Sequence, residues 1–161
     1  MMNRRIFLGT AGAGAIGALL LFGQSGPAAA VLSFPVNHTP DQWRRLLGAQ
    51  RYAILREGGT ERAFTSPLLD EHRKGVFVCA GCALPLFSSA TKFDSGTGWP
   101  SFFRALPNAI LTRSDRSLLM ERTEVLCRRC GGHLGHVFDD GPRPTGLRYC
   151  MNGLALKFTP A

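Results

Sequence analysis

Two Cys-x-x-Cys pairs constrain the fold of this chain more than any other feature of its sequence. The first pair is Cys79 and Cys82, and the second is Cys127 and Cys130. Two residues between thiols allow a tight turn to direct both sulfurs at one ion, and two such turns complete the tetrahedral coordination of Zn²⁺. Because 44 residues separate the pairs, the ion would join two distant hairpins. The spacing therefore predicts one structural zinc per chain, which would supply a large share of the folding free energy.

Each pair also has an alternative interpretation, as a disulfide or as a redox-active dithiol in an oxidising compartment. A redox dithiol needs only one such motif, usually at the start of a helix, whereas both pairs here lie beside apolar segments and turn residues. Zinc is favoured for this reason. A thiol–disulfide oxidoreductase is the alternative function, and it predicts labile dithiols that hold no metal.

The apolar pattern predicts a mainly β domain with short helices at its N-terminal side. Thr39 and Pro40 provide an N-cap and a first helical residue, and Gly48 is a plausible end of this helix. A second helical stretch is expected at residues 50–57. From Gly75 onward, apolar segments of three to six residues alternate with Gly, Pro, Asn and Asp, which is typical of short antiparallel strands.

The first thirty residues have the features of an export signal. Arg4 and Arg5 precede a Gly/Ala-rich apolar run at residues 11–22, which is followed by three alanines ending at Ala30. The paired arginines resemble a twin-arginine signal. We expect a signal peptide at residues 1–30, a linker at 31–38, a folded domain at 39–161, and a periplasmic or otherwise exported bacterial location. An uncleaved membrane anchor is the alternative.

The charge of the chain is positive but has no pattern that indicates a nucleic-acid partner. The formal net charge is +8, and the chain beyond the first thirty residues contains 17 basic and 11 acidic side chains. No Lys/Arg-rich block interleaved with aromatic residues is present in the sequence. We therefore expect a solvated cationic surface, no nucleic acid, membrane contact only during export, and a monomer.

Cys150 remains after the four paired cysteines are assigned. In a strand, Arg148, Cys150 and Asn152 point to the same face, so a cation and an amide flank the thiol. A nearby cation favours the reactive thiolate. On this pattern alone, Cys150 is either a nucleophile or a buried and inert cysteine.

Several separated segments resemble the B-type methionine sulfoxide reductases. These are the tryptophan segment at residues 92–102 (KFDSGTGWPSF), the histidine segment at 133–142 (HLGHVFDDGP), and the cysteine segment at 145–152 (TGLRYCMN). The segment at 59–64 (GTERAF) and the positions of both Cys-x-x-Cys pairs also match the family pattern. The resemblance covers residues 39–158.

The resemblance implies a β-tent, Mss4-like fold of two small antiparallel sheets, and reduction of the R epimer of methionine sulfoxide in proteins, peptides or the free amino acid. It implies that Cys150 attacks the sulfoxide sulfur and becomes a sulfenic acid. His133 and His136 would donate a proton or position water, and Asn152 would hold the sulfoxide oxygen or that water. The alternatives are that the histidines are surface residues or metal ligands and that Asn152 only forms a turn.

The resemblance also implies a substrate pocket. Trp99 would form an aromatic wall against the S-methyl group, and Phe138 would line the same pocket. Arg148 would tune the thiol or bind a substrate carboxylate. Without the resemblance, Trp99 is equally well explained as a core residue.

One position departs from the family pattern in a way that bears on turnover. Many members have a recycling cysteine where this chain has Thr97. No cysteine is then left to form an internal disulfide with Cys150, so an external small thiol or a thioredoxin-like protein would reduce the sulfenic acid. A non-catalytic zinc β-domain that binds a ligand is a further alternative, and it predicts an unreactive Cys150.

Overall fold

The computed structural model of the chain describes residues 33–116 and 121–161. The expected signal peptide at residues 1–30 and the first two linker residues lie outside the described residues. Residues 33–38 contain no helix or strand, and the Val36 N–H donates a hydrogen bond to the Arg129 carbonyl oxygen (3.0 Å). Within the described ranges, no helix combines the length and the apolar character needed to cross a bilayer.

The N-terminal helix α1 (Pro40–Glu57) begins and bends where the sequence predicts. Thr39 Oγ1 accepts a hydrogen bond from the Gln42 N–H (3.3 Å), and Gln42 Oε1 accepts one from the Thr39 N–H (2.8 Å), which forms a capping box. Gly48 interrupts the helical backbone with φ 69° and ψ 168°, so two helical segments meet there. Trp43 is buried and anchors the first segment to the core. The expected short N-terminal helices are therefore confirmed, as two segments of one kinked element.

Nine strands follow α1 in the described residues, and all their pairings are antiparallel. They are β1 (Gly75–Cys79), β2 (Pro85–Ser88), β3 (Lys92–Phe93), β4 (Ser101–Phe102), β5 (Ile110–Asp115), β6 (Arg122–Cys127), β7 (His133–Phe138), β8 (Arg148–Met151) and β9 (Leu156–Pro160). One sheet has the order β2-β1-β9, and the other has the order β3-β4-β8-β7-β6-β5. The prediction of a mainly β protein with two antiparallel sheets is confirmed.

Aromatic side chains join the two sheets in the core. Phe77 and Phe87 come from the three-stranded sheet, and Phe102 comes from the six-stranded sheet. The Phe102 ring stacks on Phe87, with centroids 4.4 Å apart, and meets Phe77 edge-on at 4.9 Å. All three are fully buried, so these contacts contribute both burial of apolar surface and specific ring geometry.

An irregularity between β6 and β7 determines which side chains share the face of the larger sheet. Two residues three apart in a regular strand point to opposite faces. Here Val125 pairs with Gly135, but the next residue of β6, Leu126, pairs with His133, so β7 contains one extra residue. This β-bulge brings His133 to the same face as His136.

Candidate functional site

The four paired cysteines converge at the ends of β1 and β6. Cys79 and Cys127 are the last residues of these strands, and Cys82 and Cys130 lie in the turns that follow. The sulfurs of Cys79 and Cys130 are 3.7 Å apart, those of Cys82 and Cys127 are 3.5 Å apart, and all four lie within 4.8 Å of one another. A zinc tetrahedron with Zn–S bonds of about 2.3 Å places its sulfurs about 3.8 Å apart. The cluster therefore fits a tetrahedral ion.

The alternative pairings of these cysteines do not fit the same geometry. A disulfide needs an S–S distance of about 2.05 Å. All five cysteines lie in the described residues, and none of them forms a disulfide. Contact with Cys127 raises the pKa of the Cys79 thiol, whereas contact with Cys127 lowers the pKa of Cys82. A cation is needed to hold all four as thiolates, because like charges at this distance repel.

Cys150 lies away from this cluster in the sequence and belongs to a small pocket on the larger sheet. The pocket has a volume of about 130 Å³. Its lining residues are Thr60, Trp99, Arg122, Gly135, His136, Phe138, Cys150 and Asn152. Cys150 is half-buried there, so its sulfur is in reach of a small ligand while its strand remains part of the sheet.

Strand register places the polar side chains of the site in one row. Cys150 on β8 pairs with His136 on β7 and with Ser101 on β4, while His136 also pairs with Glu124 on β6. Directly opposed residues point to the same face of a sheet. Gly135 makes the close approach of β7 and β8 possible: its φ is 152°, and a Cβ atom would lie 2.2 Å from the Cys150 carbonyl oxygen.

Each of the two predicted histidines forms a short contact with a carboxylate. His133 Nδ1 lies 2.7 Å from Glu124 Oε1, and His136 Nε2 lies 2.8 Å from Asp115 Oδ2. The two imidazole centroids are 5.5 Å apart. His136 lines the Cys150 pocket, whereas His133 is buried behind that lining, with its Nε2 atom lacking a hydrogen-bond partner among the described residues.

Burial and hydrogen bonding shift the pKa values of His136 and Glu124 in opposite directions. Burial lowers the pKa of His136, although its hydrogen bond to Asp115 counteracts part of this effect. Burial alone would raise the pKa of Glu124, but hydrogen bonds from His133 and from Arg113 (Nε to Oε2, 2.6 Å) outweigh it and hold that pKa below its usual value. Glu124 is therefore held as an anion in contact with His133 Nδ1.

Glu61 connects the aromatic wall of the pocket to the chain that follows Cys150. The Trp99 indole N–H donates to the Glu61 carbonyl oxygen (3.1 Å), and the Glu61 backbone N–H donates to Asn152 Oδ1 (3.0 Å). The Glu61 carboxylate accepts hydrogen bonds from the N–H groups of Gly153 and Leu154. One buried residue thus sets the positions of both Trp99 and Asn152. The Asn152 amide also donates to the Leu134 carbonyl oxygen (3.3 Å), so part of its hydrogen-bonding capacity serves the protein itself.

Arg148 is on the same face as Cys150 but lies behind the pocket lining. Its guanidinium lies over the Phe138 ring, with Cζ 4.4 Å from the centroid. Two of its nitrogens donate to the Asp140 carboxylate, both at 2.8 Å. The hydrogen bonds to Asp140 raise the pKa of Arg148, and Cys150 contributes in the same direction. The cation is therefore held close enough to Cys150 to interact with it, while Asp140 neutralises part of its charge.

A chain of hydroxyl groups approaches the Cys150 sulfur from the side opposite the histidines. Thr97 Oγ1 lies 3.7 Å from Cys150 Sγ, Ser95 Oγ lies 2.8 Å from Thr97 Oγ1, and Ser101 Oγ lies 2.7 Å from Ser95 Oγ. Ser101 also donates to the Trp99 carbonyl oxygen (3.2 Å). Thr97 is therefore in contact with the thiol at the position where the family pattern has a recycling cysteine.

The structure brings most of the predicted site residues together. Trp99, His136, Phe138 and Asn152 line the pocket with Cys150. His133 and Arg148 do not line it and lie behind it, in contact with Glu124 and Phe138 respectively. Six further residues line or support the pocket and were not predicted from the sequence: Thr60, Glu61, Asp115, Arg122, Glu124 and Gly135. Thr60 and Glu61 lie in the 59–64 segment that resembles the family, so a signal for them existed. Gly135 lies in the histidine segment at 133–142, and Asp115, Arg122 and Glu124 belong to no local motif.

The fold and this site together define a class of protein. It is a mainly β domain with a four-cysteine cluster at the ends of β1 and β6 and a single cysteine in a separate pocket. Residues 47–160 match the SelR domain family model. The chain belongs to this family, whose curated relatives are named MsrB.

The relatives are similar over most of their length. The chain is 52% identical over 128 residues to "Peptide methionine sulfoxide reductase MsrB" of Leptospira interrogans serogroup Icterohaemorrhagiae serovar Lai (strain 56601), which covers 79% of this chain and 98% of the relative. It is 58% identical over 123 residues to the protein of the same name from Thiobacillus denitrificans (strain ATCC 25259 / T1), covering 76% and 93%. The relative from Agrobacterium fabrum (strain C58 / ATCC 33970) is 53% identical over 126 residues, covering 78% and 93%.

Proposed function

We propose that this protein reduces the R epimer of methionine sulfoxide, in oxidised proteins and peptides and as the free amino acid. The single observation that carries the proposal is the position of Cys150, half-buried in a pocket with an aromatic wall and a histidine. The Cys150 sulfur attacks the sulfoxide sulfur, and the oxygen passes to Cys150. Methionine leaves reduced by two electrons, and Cys150 becomes a sulfenic acid, oxidised by two electrons.

Proton delivery to the sulfoxide oxygen is assigned to His136, with His133 behind it. A protonated oxygen is a better leaving group, so a positioned acid accelerates the step. His136 lines the pocket and is oriented by Asp115. Because burial lowers the pKa of His136, a proton held there is readily transferred. His133 is oriented by Glu124 and packs edge-on behind His136, with the ring centroids 5.5 Å apart, so it helps to hold the His136 ring in place.

The remaining pocket residues position the substrate. Trp99 and Phe138 provide the apolar and aromatic surface against which a methyl thioether packs favourably. Asn152 lines the pocket, and the amide N–H that does not bind Leu134 can bind the sulfoxide oxygen or a water. Arg148 supplies positive charge near the Cys150 thiolate from behind Phe138.

The catalytic cycle uses one protein cysteine and an external reductant. The other four cysteines form the metal-binding cluster, and Thr97 faces Cys150 in place of a recycling cysteine. A small thiol or a thioredoxin-like protein condenses with the sulfenic acid, releasing water and forming a mixed disulfide, and a second thiol restores Cys150. An intramolecular disulfide to Cys150 after one turnover would contradict this cycle.

The four-cysteine cluster is proposed to hold one structural zinc. Its sulfur–sulfur distances of 3.5 and 3.7 Å support this metal, and four thiolates leave no coordination position open for substrate. The ion would join the turn after β1 to the turn after β6 and would contribute to folding rather than to the reaction. This arrangement also disfavours the thiol–disulfide oxidoreductase, because no Cys-x-x-Cys pair acts alone.

The function is tested with a racemic methionine sulfoxide peptide, dithiothreitol, and the wild-type and Cys150→Ser proteins. The expected result is loss of the R epimer alone, abolished in the variant. Retention of both epimers by a folded, zinc-loaded protein would favour a non-catalytic ligand-binding domain. Loss of the S epimer alone would contradict the assigned stereochemistry.

The proposal extends to location and assembly. Residues 1–30 are proposed to direct export by a twin-arginine route, with cleavage after Ala30, a linker at 31–38 and a monomeric domain at 39–161 acting in the periplasm. Cell fractionation, with Arg4 and Arg5 both replaced by lysine as the matched variant, tests this. The variant is expected to remain in the cytoplasm, and equal distribution of the two proteins would contradict the assignment.

A further inference from the structure

The catalytic pocket is too small to hold more than one side chain of a polypeptide. Its volume of about 130 Å³ is below the roughly 300–1,000 Å³ of sites that enclose a whole ligand. When an oxidised methionine of a protein enters it, the flanking residues must lie on the surrounding surface. The chemistry of that surface therefore decides which oxidised proteins bind well.

A second cavity of about 360 Å³ shares one lining residue, Trp99, with this pocket. Phe64 lines the second cavity and is 70% exposed. At such exposure the phenyl ring buries little apolar surface within the fold, so it contributes little to stability. It can pack against an apolar surface of a bound polypeptide.

The backbone around Phe64 is held in an unfavourable conformation that keeps this ring at the cavity. Phe64 has φ 63°, which a residue with a Cβ atom rarely adopts. Its N–H donates to the Gly98 carbonyl oxygen (2.8 Å). Gly98 itself has φ 87°, and a Cβ atom there would lie 2.7 Å from the Phe64 ring. Since this conformation costs free energy and leaves an aromatic ring in solvent, it points to a role in binding rather than in folding.

The charge of the second cavity is opposite to that of the whole chain. Its lining contains three carboxylates, Asp70, Glu71 and Asp94, against one lysine, Lys92, and the imidazole of His72. Arg73 neutralises Glu71 through a 2.5 Å ion pair and does not line the cavity, so Asp70 and Asp94 outweigh Lys92. On a chain of net charge +8, this is a local acidic surface. It complements a cationic side chain.

We propose that this cavity binds the residues of the substrate polypeptide that flank the oxidised methionine, with Phe64 packing on their apolar part and Asp70 and Asp94 favouring a lysine or arginine. The inference rests on the proposed reductase function. It makes the protein selective among oxidised proteins, because sulfoxides in cationic segments bind more tightly than those in acidic ones.

The first experiment compares a peptide and a small substrate for the full chain and for Phe64→Ala. Both substrates contain methionine-R-sulfoxide, one within a five-residue peptide and one as the N-acetyl amino acid. The variant is expected to lower kcat/KM for the peptide about five-fold through KM and to leave the N-acetyl amino acid within about two-fold. Leu46→Ala is the matched control, since Leu46 is 63% exposed on α1 and lines neither cavity.

The second experiment varies the charge of the peptide substrate and does not use the N-acetyl amino acid. Wild-type kcat/KM is expected to be about three-fold higher with lysine beside the sulfoxide than with alanine, and lower still with glutamate. Asp70→Asn and Asp94→Asn should each reduce this preference, whereas Asp41→Asn on α1, outside the cavity, should retain it.

The outcomes separate the subsite from the activity itself. Equal loss on both substrates in Phe64→Ala, or no loss on either, would overturn the subsite, as would a charge preference that survives both aspartate substitutions. A wild-type protein that reduces neither substrate would overturn the reductase function instead.

Discussion

Replacing Thr97 by valine is expected to slow the reaction of Cys150 with electrophiles, because the hydroxyl chain can reverse its direction. Each hydroxyl has one proton to donate. When Cys150 is a thiol, Ser101 donates to the Trp99 carbonyl and each group behind it donates toward Ser101. When Cys150 is a thiolate, the chain reverses and Thr97 donates to the sulfur.

The magnitude follows from the hydrogen bonds exchanged. Reversal loses the 3.2 Å bond from Ser101 to the Trp99 carbonyl and a weak S–H donor, and it gains a donor to a charged sulfur. A bond to a charged group contributes about 1.5–3 kcal/mol and a neutral bond about 0.5–1.5 kcal/mol. The S···O distance of 3.7 Å favours the lower value for the charged bond. The hydrogen bond from Thr97 thus stabilises the attacking sulfur by about 1 kcal/mol, which corresponds to roughly a five-fold change in rate.

The assay is the rate of alkylation of Cys150 by iodoacetamide across a pH series, followed by mass spectrometry of the peptide that contains it. Thr97→Val is expected to react about five-fold more slowly near neutral pH, and Thr97→Ser, which retains the hydroxyl, should react at the wild-type rate. Ser95→Ala removes the next donor and should have a smaller effect. If Thr97→Val matches the wild type, or if Thr97→Ser is as slow as Thr97→Val, the Thr97 hydroxyl does not stabilise the reacting sulfur.

Three further predictions concern stability. In Glu61→Gln, an amide replaces the carboxylate that accepts hydrogen bonds from two backbone N–H groups. The free energy of unfolding should therefore fall by about 2 kcal/mol, and kcat/KM should fall with it. A free energy of urea unfolding within about 0.5 kcal/mol of wild type would contradict this. Cys127→Ser should bind less than one zinc per chain, measured by atomic absorption, and its Tm should be lower by about 10 °C or more. Cys150→Ser should keep the metal content and the Tm of the wild type. Equal metal content in the two variants would oppose the cluster assignment. Because burial lowers the pKa of His136 in the folded state, the unfolded chain binds more protons just below pH 6.5, so stability should rise with pH through that window. His136→Gln should flatten the slope measured by denaturant unfolding from pH 5 to 7.5, and an unchanged slope would refute the assignment.

Local chemistry was sufficient to predict the parts of this protein that depend on a few neighbouring residues. The spacing of Cys79 and Cys82 predicts a metal-binding turn because two thiols need only one turn to approach a common ion. Thr39 predicts the start of α1, since a capping side chain acts within the first helical turn. Short apolar segments separated by turn residues predict antiparallel strands. The two sheets, and the positions of Trp99, His136, Phe138 and Asn152 around Cys150, were implied by the resemblance of a few segments to a known family.

Tertiary structure alone decided how those segments meet. The sequence period places His133 and His136 on opposite faces of a strand, and the extra residue of β7 reverses this. The carboxylates that orient them, Glu124 and Asp115, lie in β6 and β5, and their partnership depends on register rather than on spacing in the sequence. Glu61 reaches Asn152 across 91 residues. Such contacts are set by the long-range pairing of strands, which a local pattern of apolar and polar residues does not specify.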